Sequence, residues 1–150
     1  MMTPKISIAR DVAGGVAIEF ALIAPILAAM LIGMVDLSTA YSNKLRLEQI
    51  AQRVIENVQQ NGTDEDSKTA LETEAQTAAG TGSVAVATFR LECNGAATNY
   101  ASGCTSGQKY ARYVELTITK SHTPIIAARF AGSNSDGTIT TRGIAGIRIQ

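Results

Sequence analysis

The chain has 150 residues, with 13 Lys and Arg against 13 Asp and Glu, two cysteines, one histidine and no Trp. That length fits one domain, or one domain with an appendage. The balanced charge excludes a strongly basic nucleic-acid binder and an acidic disordered tail, and the lone His122 excludes a His-rich metal site and speaks against a catalytic triad. Only 17% of the residues are charged, and the shortage is concentrated near the amino end. Val12 to Val35 is a run of twenty-four residues carrying one charge, Glu19. About 20 apolar residues in a helix cross a bilayer core, whereas the buried helix of a small domain needs only one apolar face. The run therefore predicts a transmembrane helix. Lys5, Arg10 and the terminal amine precede it, while Asp36 comes first on the far side, before Lys44 and Arg46. The distribution of basic residues places the amino end in the cytoplasm and the bulk of the chain outside it. The competing reading is a secretory signal peptide cut after Ser38-Thr39-Ala40, but the apolar run is longer than a signal h-region and contains Glu19 and Pro25.

Glu19 breaks the membrane rule, since a carboxylate in a membrane helix costs about 2.5–3.5 kcal/mol on insertion scales. The bland explanation is that the span begins at Phe20 and leaves Glu19 at the interface. The stretch RDVAGGVAIEFALIAPILAAMLIGMVDL suggests another, because it resembles the amino end of TadE-like pseudopilins of the tight-adherence (Tad) pilus system. The resemblance is strong over about residues 10–60 and weak beyond. It implies a basic cytoplasmic leader, residues 1–14, removed by a dedicated prepilin peptidase that cuts after Gly14. The mature chain would begin at Gly15, with Glu19 fifth and Phe20 in the aromatic place behind it. A cut after Gly15 would leave Glu19 fourth, a poorer fit. Pro25 and Gly33 also stand where TadE-like chains commonly have them.

The chemistry of that arrangement is sensible by itself. Cleavage would create an α-amino group on Gly15, with an ordinary pKa near 7.7–8.0. Glu19 of the same or a neighbouring subunit can pair with that ammonium, each charge offsetting the other's desolvation. Glu19, Phe20 and Pro25 are thus candidate assembly residues, and Gly14 and Gly15 candidate processing residues. Ala17 and Ala21, Ala24 and Ala28, and Ala29 and Gly33 form small pairs at spacing four, which allow close helix approach but are also ordinary membrane composition. Pro25 removes one helix hydrogen bond and would kink the helix or loosen its ladder.

The helical pattern continues past the apolar run. Leu37, Tyr41, Leu45, Leu47, Ile50, Ala51, Val54, Ile55 and Val58 recur at three and four, with polar residues between them. Residues 15–36 therefore form the transmembrane half and 37–61 the amphipathic half of one long helix ending at Asn61-Gly62. Asn61-Gly62-Thr63 also fits the N-glycosylation triplet, but the helix end accounts for it. Thr63 is the expected N-cap of a short second helix running to Ala79, with Asp64, Glu65 and Asp66 in its first turn. That acidic group lacks the spacing of a calcium loop.

Period-two alternation then predicts strands over 83–92, 112–120 and 138–149. The fold class is α+β: the long helix, the short helix and a small antiparallel sheet of three or four strands, in a pilin-like head spanning 62–150. Cys93 and Cys104 flank NGAATNYASG, a loop-forming stretch, at a spacing that excludes a CxxC redox or zinc motif. Outside the cytoplasm they would form a disulfide; two reduced thiols are the alternative. His122 has no second ligand or nucleophile pattern beside it and is expected to be structural, and residues 132–137 to form an exposed turn.

The expected function is structural, not enzymatic. A TadE-like minor pseudopilin would be held in the bacterial inner membrane by one span and processed by its peptidase. It would associate with other pilins and the Tad assembly platform to build a type IV pilus for surface adhesion. No cofactor, metal, nucleic acid or small-molecule substrate is expected. The alternative is a binding module, an anchored or secreted adhesin with the helix as a tether.

Overall fold

The computed structural model describes residues 13–62, 65–125 and 133–149. Helix α1 runs from Ala13 to Asn61, 49 residues without a break and close to 73 Å at about 1.5 Å per residue. A single 3₁₀ turn, Glu65–Ser67, leads into α2, Lys68–Ala79. Four strands follow: β1 (Ser83–Cys93), β2 (Ala96–Thr98), β3 (Tyr110–His122) and β4 (Ile139–Arg148). They form one antiparallel sheet in the order β2-β1-β3-β4. The architecture is α+β, with the second half of α1 and all of α2 laid on one face of the sheet.

The core lies where the two periodicities meet. Leu47, Ala51, Val54, Ile55 and Val58 of α1 pack with Val114, Leu116 and Ile118 of β3, Ala85 and Ala87 of β1, and Leu71, Ala75 and Ala79 of α2. These strand residues occupy alternate positions, so one face of the sheet is buried while Val84, Val86 and Ile144 face outward. Small residues set how closely α1 approaches the sheet. A Cβ added to Gly143 of β4 would stand 2.6 Å from Glu48 N and 2.7 Å from Leu47 O. The helix backbone thus rests directly on that glycine.

The amphipathic face is narrower at its membrane-proximal end than the sequence suggests. Leu37, Tyr41 and Leu45 remain exposed, while Asp36 and Ala40 are buried. Each helix residue is rotated by about 100° from the last, so Leu37 and Tyr41 sit just beyond the buried Asp36 and Ala40. They form a second row that the described residues of the head leave exposed.

The second helix begins later than its acidic cluster implies. Asp66 stands in the 3₁₀ turn, and Ser67 occupies the N-cap position in a helical conformation without a side-chain cap bond. The first turn of α2 holds no acidic residue. Thr63 and Asp64, expected as N-cap and first helical residue, lie outside the described residues. Tertiary contacts compensate for the missing cap: Glu72 accepts the Ala87 N–H from β1 at 2.9 Å, and Lys120 from β3 donates to the Ala79 carbonyl at 3.1 Å at the other end of α2. The Glu72 bond also covers the edge of β1 where β2 does not reach.

The three expected strands are present, and the fourth lies within the stretch read as a loop. Asn94 and Gly95 both have positive φ, 52° and 83°, and join β1 to β2 in a two-residue turn in which Cys93 pairs with Ala96. This is the geometry that Asn-Gly favours in a tight hairpin. Cys93 and Cys104 are joined by a disulfide that closes this excursion, and no cysteine is free. The turn before β4 is present from Ser133 onward, with Gly137 N–H bonded to Asn134 O at 2.9 Å. Gly132 lies outside the described residues.

Candidate functional site: the amino-terminal half of α1 and its junction with the head

The apolar run of α1, up to Val35, is nowhere buried among the described residues. Gly15–Asn61 contains one stretch long and apolar enough to cross a membrane, and none of that stretch is buried. Val16, Ile18, Phe20, Leu22, Leu27, Leu31 and Met34 are exposed around the helix. An apolar surface of this extent is not a soluble face, and its contiguity calls for a lipid or protein partner.

The candidate processing and assembly residues share this segment. Gly14 and Gly15 fall in the first turn of α1, and a Cβ at Gly15 would meet nothing within 4 Å. Glu19 is exposed one turn further on, followed by the exposed Phe20. The spacing of four between Gly15 and Glu19 places both on one side of the helix. Pro25 is exposed within α1, which continues through it as regular helix. Its ring removes the N–H that would bond the Ala21 carbonyl. The basic residues of the leader, Lys5 and Arg10, lie outside the described residues.

Where the helix meets the head stands a residue that sequence reasoning took only as a flanking charge. Asp36 follows the apolar run directly and is buried, at 6% exposure. Its two carboxylate oxygens accept the backbone N–H of Ile125 at 2.9 and 3.0 Å. The chain leaving β3, with Pro124 buried and Ile125 exposed, is thereby fastened to α1 at the end of the apolar stretch. The only available signal was a carboxylate at the end of an apolar run, which also fits a solvated flank.

Among the described residues, no group of three or more His, Cys, Asp and Glu side chains is placed to hold a metal ion. His122 is half-buried, with Nε2 enclosed and without a hydrogen bond, which fits a structural role. Arg112 lies over the Tyr100 ring at 5.3 Å, and Tyr100 packs edge-on against Phe89 at the same distance, stabilising the disulfide loop.

Residues 14–55 match the model of a family described as TadE-like protein. The amino-terminal segment is thus similar to TadE-like proteins. The match begins at Gly14, the residue before the expected cleavage, and ends within the part of α1 that is packed on the sheet. It covers the exposed apolar half, Glu19, Phe20, Pro25 and Asp36, and leaves the sheet outside. No curated protein and no solved structure matches the chain.

Proposed function

We propose that this chain is a minor pseudopilin of a tight-adherence pilus, a structural protein that acts by association and not by catalysis. The observation that carries this reading is the wholly exposed apolar half of α1, with Glu19 set one turn behind Gly15 inside a TadE-like segment. The helix spans the inner membrane with its amino end in the cytoplasm, in keeping with Lys5 and Arg10 before the span. The head stands on the other side, where an oxidising compartment supports the disulfide.

Function follows from cleavage and pairing. A prepilin peptidase cuts between Gly14 and Gly15, removing the leader. The new Gly15 ammonium and the Glu19 carboxylate then meet between neighbouring subunits in a medium where neither charge is well solvated. Pairing offsets the desolvation of both, and an unmatched subunit carries a stranded charge. Phe20 supplies an apolar contact beside the pair, and Pro25 a place where the helix ladder can give. Extraction of the span from the membrane requires an external motor from the assembly platform. The assembled pilus serves adhesion to surfaces.

The substitution Glu19→Gln tests the pairing. Removing the charge lowers the cost of insertion, so the variant should enter the membrane at least as well as the wild type. It should nevertheless fail to co-purify with the other pilins of the system. Normal piliation by the variant would remove Glu19 from the mechanism.

A further inference from the structure

An open cleft of about 540 Å³ lies between α1 and β4, above the point where Asp36 fastens the head to the helix. Its walls carry Leu37, Ala40, Tyr41 and Lys44 from α1, and Arg142 and Ile144 from β4, the end strand of the sheet. Leu37 and Tyr41 belong to the row of α1 that the head leaves uncovered, and Ile144 is exposed on the outer face of the sheet. We propose that this cleft seats the headgroup of an anionic phospholipid, with Lys44 and Arg142 meeting its phosphate and Leu37 and Tyr41 meeting the root of its acyl chains. The inference rests on the membrane anchor proposed above.

Height and charge both favour this occupant. The apolar stretch of α1 ends at Val35, and the buried Asp36 places the base of the head immediately above it. Tyr41 stands about 9 Å above Val35 along the helix axis and Lys44 about 13 Å. Helical side chains lean toward the amino end, which here is the membrane, and a lysine stem can carry its ammonium down to the headgroup layer. A tyrosine at this level has its ring at the boundary and its hydroxyl in water, as in the aromatic belts of membrane proteins. Among the described residues, the cleft is lined by two cations and one carboxylate, Glu48. Glu48 meets Lys44 at 3.8 Å between half-exposed side chains, a loose pair of little worth that a phosphate can displace. Arg142 donates through Nη2 to Thr117 Oγ1 at 3.4 Å, a long bond at the exposed side of the sheet. Apolar walls below, an aromatic ring at the boundary and a net positive charge above match a phosphodiester headgroup on its acyl chains.

The test uses the full chain reconstituted in mixed phosphatidylcholine and phosphatidylglycerol nanodiscs, followed by native mass spectrometry of the lipids retained on the protein. Phosphatidylglycerol should be enriched about fivefold over its share of the bilayer, the size set by one net basic residue at an anionic surface. Lys44→Gln with Arg142→Gln should abolish the enrichment. Lys44→Arg with Arg142→Lys should keep it, and so should Lys68→Gln with Arg90→Gln, which removes two cations outside the cleft. Excess inorganic phosphate should leave the enrichment unchanged, and its displacement by phosphate would overturn the lipid assignment. Equal retention of both lipids by the inserted wild type, enrichment that survives the double Gln variant, or a dimer that buries Tyr41 in place of lipid would each overturn it as well. A chain that does not enter the nanodisc would fail earlier, and with it the anchor itself.

Discussion

A carboxylate costs most where water is scarcest, and the two acidic residues in the first half of α1 meet that cost in different ways. Glu19 is exposed on an apolar helix, and in the function proposed above its partner is the newly made amino terminus of a neighbouring subunit. Asp36 is buried and finds its partner within the fold, the Ile125 amide. Asp36→Ala would strand that N–H and release the connection after β3 from α1. It should cost about 1–3 kcal/mol, read as a fall in the denaturant midpoint of the detergent-solubilised chain. Asp36→Asn keeps an acceptor and should cost less; equal losses for the two variants would show that the hydrogen bond is not the stabilising part. Glu19 was legible because an isolated charge stands out in an apolar run. Asp36 was not, because a carboxylate at the end of a run looks the same whether water or a backbone amide solvates it.

At the scale of elements, the contact between α1 and β4 depends on the absence of a side chain. Gly143→Ala would place a Cβ within 2.7 Å of three backbone atoms of α1, and backbone cannot turn aside as a flexible side chain can. The expected loss is about 1–3 kcal/mol in chemical denaturation. Gly146→Ala, whose nearest contact is 3.3 Å to Val114 O, should lose clearly less; equal stability of the two variants would contradict the close approach. The disulfide hairpin is the other local device. Replacing Cys93 and Cys104 together with Ala should cost about 3 kcal/mol, since the bridge joins cysteines eleven positions apart in the chain. An unchanged midpoint would count against that contribution. Periodicity made the second half of α1 and the three long strands readable, because burial on one face repeats at 3.6 or 2, whereas the first half was legible from its uncharged apolar run. The short β2 escaped although Asn94-Gly95 is a strong hairpin signal, since three exposed residues carry no alternation to read. The start of α2 moved to Lys68 because contacts from Glu72 and Lys120, far apart in sequence, position that helix in place of an N-cap.

For the whole molecule, low overall charge resolves into two unlike parts joined by one helix. The carboxyl-terminal half of α1 is built into the head by a shared core, whereas the apolar half is exposed throughout. An apolar surface of that extent calls for a bilayer or a protein partner around it. Composition and hydropathy made this division legible, and the TadE-like match covers the region that carries it. How the head sits against the helix was beyond the sequence, because it depends on Gly143, Asp36 and the course of the chain after β3 acting together. The central claim is that the leader is removed to expose an amine one helical turn from Glu19. Mass spectrometry of the amino terminus of the chain recovered from membranes, in cells that hold the prepilin peptidase, tests it most directly. The expected terminus is Gly15; a chain beginning at Met1 or at Tyr41 would contradict it.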